Sequence, residues 1–162
     1  MGKYKRVREK FTVDEGLDTT EIESLRDEMQ GWVDNMSGTA LENTSRYQMA
    51  EEAVSQLDQV DGVDFDEIWG AVPEDCGITV DELKAIEFTC TIFTPKSRRQ
   101  STSRAYRLSN TITHITGALD AIRNYLEDKK DIEGISSVLD AVDGIESQVQ
   151  DLDGVEFPGM YG

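Results

Sequence analysis

The feature that most constrains the fold is a strict alternation of three- and four-residue steps between apolar residues in the second half of the chain. The positions are Ala105, Leu108, Ile112, Ile115, Leu119, Ile122 and Leu126. This spacing keeps apolar side chains on one side of an α-helix that packs along a neighbour. It predicts a helix over residues 102–127.

A second helix is predicted over residues 132–152, after a charged break at residues 128–131. The apolar pattern resumes there with Ile132, Ile135, Leu139, Val142, Ile145, Val149 and Leu152. Because only a short polar connection separates the two helices, we expect them to form an antiparallel helical hairpin.

The first half predicts a similar hairpin from helices over residues 20–36 and 45–60. Thr20 and Glu23 have the spacing of a capping box at the start of the first helix. The two apolar stripes are Ile22, Leu25, Met29, Trp32 and Met36, and Ala50, Ala53, Val54, Leu57 and Val60. Residues 37–44 are turn-rich and connect the two helices.

The segment between the hairpins has a different composition. Thr79 and Glu82 predict a short capped helix ending near Ile86. Residues 87–94 are rich in β-branched and aromatic side chains, which favours a strand paired with residues 4–13. The predicted fold is mainly α, with two antiparallel hairpins of four long helices and a short β ribbon.

The predicted organisation along the chain has four parts. A basic N-terminal arm covers residues 1–19, the first hairpin residues 20–70, a connecting segment residues 71–100, and the second hairpin residues 101–162.

A short internal repeat supports the similarity of the two hairpins. Residues 59–65 read QVDGVDF and residues 151–157 read DLDGVEF, each at the end of a predicted helix. The pattern indicates duplication, with Gly62 and Gly154 predicted as left-handed helix caps. The following valine and phenylalanine should then pack equivalently in the two halves.

Charge is distributed in blocks within a net charge of −17. Residues 1–10 carry five Lys or Arg against Glu9, and residues 11–95 carry 21 acids against three basic residues. Residues 96–107 carry five basic residues and no acid, and residues 108–162 carry eleven acids against three basic residues. Two basic islands therefore interrupt two acidic lobes.

The residues that usually carry catalysis are sparse. His114 is the only histidine and has no accompanying nucleophile motif, while Cys76 and Cys90 are spaced too far apart to predict a zinc pair. Neither a P-loop nor a GxGxxG fingerprint occurs. The acids of residues 58–67 do not follow the EF-hand order. We expect a non-enzymatic protein without cofactor or metal.

The second basic island contains Lys96, Arg98, Arg99, Arg104 and Arg107, together with Tyr106. Arginines interleaved with Ser and Thr suit phosphate contacts, and a tyrosine can stack on a base. The net charge of −17 opposes direct nucleic-acid binding. Pairing with the chain's own acidic lobes, or with an acidic partner protein, is the favoured interpretation.

Four segments carry a resemblance to a group of known proteins: LRDEMQGWVDNM at residues 25–36, ALENTSRYQMAEEAVSQL at 40–57, SRAYRLSNTITHITGALDAI at 103–122 and VEFPGMYG at 155–162. The chain resembles small acidic helical bacteriophage proteins with a Trp-x-Asp-Asn motif. The resemblance covers about two thirds of the chain and implies a phage source but no mechanism. In this sequence the motif is Trp32, Asp34 and Asn35.

The chain has no apolar run of about 20 residues and no secretory signal, so we expect it in the host bacterial cytoplasm or in the virion. The favoured hypothesis is a protein that binds a host nucleic-acid-binding protein through an acidic, DNA-like helical surface and inhibits it. The predicted contacts are Asp27, Asp34, Glu51, Glu52, Asp58, Asp61, Asp64, Asp66 and Glu67. The alternative is a structural or assembly component of a phage particle, and homo-oligomerisation fits either function.

Overall fold

Helices form most of the chain and are accompanied by one small antiparallel sheet, as the sequence predicts. The structure is a computed structural model and describes residues 3–97 and 99–158. The elements are β1 Tyr4–Thr12, α1 Val13–Gly16, α2 Thr20–Met36, α3 Ser45–Leu57, α4 Asp66–Ala71, α5 Val80–Lys84, β2 Glu87–Pro95, α6 Arg104–Leu126 and α7 Ile135–Gln150. Short 3-10 turns follow three of the helices, at Asp58–Gly62, Glu127–Lys129 and Asp151–Gly154.

The four longer helices, α2, α3, α6 and α7, lie where the apolar periodicity predicts them. α2 has the predicted bounds, and α3 tightens into a 3-10 turn where the prediction extends the helix to Val60. α7 begins at Ile135 rather than Ile132, because Gly134 has a left-handed φ of 90° that cannot lie inside a right-handed helix.

Helix capping differs in part from the prediction. Thr20 is the first residue of α2 rather than its cap, and the Asp18 carboxylate accepts hydrogen bonds from its N–H and hydroxyl, at 2.9 and 2.6 Å. The Thr79 hydroxyl accepts from the N–H of Glu82 as predicted, at 3.0 Å. The Glu82 carboxylate, however, accepts from the Tyr125 hydroxyl instead of completing a capping box.

The β ribbon pairs β1 with β2 in antiparallel register, placing Val7 opposite Ile92 and Phe11 opposite Phe88. Thr12 ends β1 and caps α1, so Val13 is a buried helical residue and not the last strand residue. α6 packs along β2, and Gly117 allows this approach because a Cβ there would lie 2.8 Å from the Phe88 ring.

One continuous hydrophobic core includes residues of both predicted hairpins. α2 packs on α3 and α6 packs on α7, while α2 also contacts α6 and α4 contacts α7. The predicted seam residues that are buried in this core are Leu25, Met29, Leu57, Ile112, Ile115, Leu119, Val142 and Ile145. The helices of the two halves therefore stabilise each other.

The repeated sequence adopts the same local structure twice. Each copy forms a 3-10 turn in which a buried residue, Val60 or Leu152, accepts a backbone hydrogen bond at the end of the turn. Phe65 and Phe157 are both half-buried against the core.

The predicted left-handed caps at the repeat are wrong. Among the described residues, positive φ occurs only at Gly38, Gly77 and Gly134, so Gly62 and Gly154 do not have it. The two segments end instead with an extended valine, Val63 or Val155, after the 3-10 turn.

Candidate functional site

The nine carboxylates predicted to bind a partner are all exposed, and we refer to them together as the acidic surface. α2 carries Asp27 and Asp34, α3 carries Glu51 and Glu52, the following 3-10 turn and connection carry Asp58, Asp61 and Asp64, and α4 carries Asp66 and Glu67. Helix propensity and capping place these acids on consecutive elements, because each apolar stripe faces the core and leaves the acids outside.

Three members of the acidic surface pair with Arg26 of α2. Its Nη1 lies 2.8 Å from an Asp61 oxygen and 3.3 Å from an Asp58 oxygen, and its Nε lies 3.7 Å from Asp27. The hydrogen bond with Asp61 raises the pKa of Arg26 above its ordinary value. Arg26 is in the first half of α2 and two of its partners, Asp58 and Asp61, follow the end of α3, so the two helices run in opposite directions.

The other six members have no ion pair with any residue in 3–97 and 99–158: Asp34, Glu51, Glu52, Asp64, Asp66 and Glu67. Asp34 accepts a hydrogen bond from the Gln30 amide at 2.9 Å, and Asp64 accepts from the Asp66 N–H at 3.0 Å. These hydrogen bonds orient carboxylates without neutralising them. The six charges therefore project a negative potential into solvent.

Two arginines of the second basic island form ion pairs inside the protein. The Arg104 Nε lies 3.0 Å from one Glu28 oxygen, and the Arg107 Nη2 lies 2.7 Å from the other. Arg107 also pairs with Glu21. The hydrogen bond from Arg107 lowers the pKa of Glu28, with a smaller contribution from Arg104. These contacts hold the start of α6 against α2.

The rest of the basic island is differently placed. Lys96 and Arg99 are exposed between β2 and α6, and Arg98 lies outside the described residues. The Tyr106 ring, predicted as a base-stacking group, instead packs 4.1 Å from the Tyr4 ring centroid and 5.0 Å from that of Phe93. Its role in the described structure is packing.

An apolar groove of 570 Å³ lies where α2 connects to α3. It is lined by Trp32, Asn35, Met36, Leu41, Thr44, Ser45 and Arg46. Leu41 is 54% exposed, although it is large and apolar, and the Arg104 guanidinium lies 5.4 Å from the Trp32 ring centroid. Sequence reasoning placed Trp32 in the apolar stripe but missed Leu41, which lies in the connection outside any periodic pattern.

A polar groove of 370 Å³ separates α3 from the turn that follows α7. Its lining includes Glu52 of the acidic surface and Glu156 from the other end of the chain. Sequence reasoning missed Glu156, because no local pattern brings it next to Glu52. The groove thus extends the negative surface across both halves of the protein.

His114 and Cys90 lie on α6 and β2, which carry no residue of the acidic surface. His114 of α6 is half-buried beside Phe11, with ring centroids 4.4 Å apart, and burial lowers the pKa of its imidazole. Burial likewise raises the pKa of the Cys90 thiol. Among the described residues, no three His, Cys, Asp or Glu side chains are grouped so as to hold a metal ion.

None of the helices in residues 3–97 and 99–158 combines the length and apolar composition of a membrane span. Comparison with protein-family models, curated proteins and solved structures finds no match for this chain.

Proposed function

We propose that this chain is a non-catalytic binding protein whose acidic surface occupies the basic groove of a nucleic-acid-binding protein and inhibits it. The observation that carries the proposal is the set of six exposed carboxylates without an ion-pair partner in the described structure, at Asp34, Glu51, Glu52, Asp64, Asp66 and Glu67. A groove lined by Arg and Lys would supply the missing partners.

The physical basis is the similarity between a row of carboxylates and a row of phosphates. Both present oxygen acceptors with negative charge, and both attract guanidinium and ammonium groups over a distance of about 8 Å at physiological ionic strength. Such a surface accelerates encounter with a basic groove and competes with nucleic acid for it.

The apolar groove supports a protein partner. Interfaces commonly combine a buried apolar anchor with a polar rim. Ser45 lines both the apolar groove and the polar groove that contains Glu52. One partner can therefore contact both apolar and acidic groups at the start of α3. Under the resemblance to phage proteins, the partner would be a host nuclease, restriction complex, CRISPR effector or polymerase.

The proposal is tested by affinity capture from a lysate of phage-infected bacteria at low and high salt, followed by competition with duplex DNA and RNA. The test variant neutralises acids that lack an internal cationic partner, by Glu51→Gln, Glu52→Gln, Asp64→Asn and Asp66→Asn. Asp58 and Asp61 are left unchanged because they pair with Arg26. A matched variant removes four exposed charges elsewhere, by Asp128→Asn, Asp131→Asn, Glu133→Gln and Asp140→Asn.

We expect the native chain and the matched variant to capture a nucleic-acid-binding protein that high salt or added nucleic acid releases. The test variant should lose this capture, because its acidic surface has lost four charges. Equal capture by both variants would contradict the proposal. Salt-insensitive capture of capsid or tail proteins would instead support the particle-assembly alternative.

A further inference from the structure

The outer edge of β1 is the edge of the ribbon that faces away from β2. The Lys96 N–H donates to the Lys3 carbonyl at 2.9 Å, which makes these residues a hydrogen-bonded pair of the ribbon. The Asn110 side chain bonds both the N–H and the carbonyl of Phe93, at 2.9 and 2.8 Å. Phe93 therefore directs its backbone groups away from its partner on β1, Arg6.

Hydrogen-bonded and non-hydrogen-bonded pairs alternate along an antiparallel ladder. The register from Tyr4 to Thr12 is continuous, so Arg6, Arg8 and Lys10 all direct their N–H and carbonyl groups away from β2. No hydrogen bond from residues 3–97 or 99–158 reaches these groups, and β1 pairs with β2 alone in that part of the chain. The outer edge of β1 is thus an open row of donors and acceptors.

The same edge is strongly basic. Lys3, Lys5, Arg6, Arg8 and Lys10 are all exposed. Lys10 pairs with Glu87 at 2.7 Å, and the Arg8 guanidinium donates to the Thr89 hydroxyl at 3.4 Å. The opposite edge of the ribbon differs, because α6 packs against β2 and Asn110 satisfies the backbone of Phe93.

We propose that the outer edge of β1 binds an extended acidic peptide segment of a partner protein, which adds to the ribbon as a third strand. Backbone hydrogen bonds to Arg6, Arg8 and Lys10 supply affinity, and alternate acidic side chains pair with the basic ones. This site is separate from the acidic surface and does not depend on the function proposed for it.

Charge and hydrogen bonding favour an acidic peptide over two other occupants, a second copy of the chain and nucleic acid. A second copy pairing through its own β1 would place Arg and Lys side chains opposite one another, which destabilises a strand pair. The phosphates of a nucleic acid would contact the basic side chains and could accept from backbone N–H groups, but they cannot donate, so they would leave the outward carbonyls of Arg6, Arg8 and Lys10 without partners. An acidic strand satisfies both the backbone and the side chains.

The test compares Arg8→Gln with Arg8→Pro in the full chain. Both remove the charge, but only proline removes the outward N–H, and an edge strand tolerates proline where that N–H faces solvent. The probe is a fluorescent nine-residue peptide of alternating Glu and Val, with a Lys and Val peptide and single-stranded DNA as controls. Binding is measured by anisotropy, and folding of each variant by circular dichroism.

We expect only the Glu and Val peptide to bind. Arg8→Gln should weaken binding about two- to fivefold, and Arg8→Pro by about a further tenfold. Equal losses in the two variants, or binding of DNA in place of the peptide, would overturn strand addition.

Hydrogen exchange on the native chain gives a readout that needs no variant. In the free protein the amides of Arg6, Arg8 and Lys10 should exchange rapidly, and those of Val7 and Glu9, which bond to β2, slowly. Bound peptide should slow amide exchange at Arg6, Arg8 and Lys10. Unchanged exchange at Arg6, Arg8 and Lys10 under saturating peptide, or a peptide-independent dimer in analytical ultracentrifugation with those amides protected, would refute the proposal.

Discussion

At the scale of single residues, three arginines form most of the ion pairs among the described residues of this acidic protein. Arg26 pairs with Asp27, Asp58 and Asp61, and Arg107 pairs with Glu21 and Glu28. Arg123 similarly contacts Asp143 at 2.8 Å and Glu146 at 2.6 Å, joining α6 to α7. Each arginine joins two helical segments, so these cations stabilise the packing of the helices.

His114 provides a residue-scale prediction about pH. Burial lowers the pKa of its imidazole, which outweighs the attraction of Glu9, and its Nε2 has no hydrogen-bond partner among the described residues. The unfolded chain therefore binds a proton more readily than the folded chain as pH falls below about 6.5, and the free energy of unfolding decreases.

When the pH is lowered from 7 to 5.5, we expect the free energy of unfolding to fall less in His114→Leu than in the native chain. Urea denaturation at the two values measures this difference. The pKa of carboxylates such as Glu28 is lowered by hydrogen bonds to arginine, so the stability that they contribute is lost only at more acidic pH than this window. The same pH dependence in both proteins would show that His114 is not the group responsible.

At the scale of elements, two helical glycines differ in how closely neighbouring atoms approach α6 and α7. A Cβ at Gly117 of α6 would lie 2.8 Å from the Phe88 ring of β2, whereas a Cβ at Gly144 of α7 would meet no atom within 4 Å. Alanine favours a helix over glycine by about 1 kcal/mol. Of these two positions, only Gly117 requires glycine for packing.

Gly144→Ala should raise the free energy of unfolding by about 0.5–1 kcal/mol, from helix propensity alone. Gly117→Ala should lower the free energy of unfolding by about 1 kcal/mol, because the cost of overpacking against Phe88 exceeds the gain in helix propensity. Thermal and urea melts of the two variants measure the contrast. Stabilisation by both would mean that Phe88 moves aside without cost.

At the scale of the whole molecule, the shared core predicts cooperative unfolding. Ile115 of α6 is fully buried in a core that also contains residues of α2, α3 and α7. If the two hairpins were independent, disrupting Ile115 would unfold the second hairpin and leave the first intact. With α2 packed on α6, the loss should extend to the first half.

Ile115→Ala should lower the free energy of unfolding by about 2–5 kcal/mol. Trp32 and Trp69 report on α2 and α4, so their fluorescence transition should shift together with the far-ultraviolet circular dichroism of all helices. The conservative Ile115→Val should cost about 1 kcal/mol and serves as the control. Separate transitions by the two probes would indicate that the halves unfold independently.

Local sequence determined the four longer helices and the two strands of this protein, whereas α1 and α4 were not predicted. Apolar spacing set the bounds of α2 and nearly those of α6, and β-branched composition located β2, because helices and strands depend on residues a few positions apart. Exposure of the acidic surface followed for the same reason, since acids opposite an apolar stripe face solvent. Local signals failed at Gly62 and Gly154, where the chain forms a 3-10 turn in place of the expected left-handed cap.

The partners of each charge were decided only by tertiary structure. Arg107 and Glu28 are far apart in sequence, and nothing local distinguishes them from the exposed Arg99 or Glu51. The apolar groove at Leu41 and the open edge of β1 likewise depend on how α2, α3, β1 and β2 meet. A side chain's exposure follows from its own element, but its partner follows from which other element packs beside it.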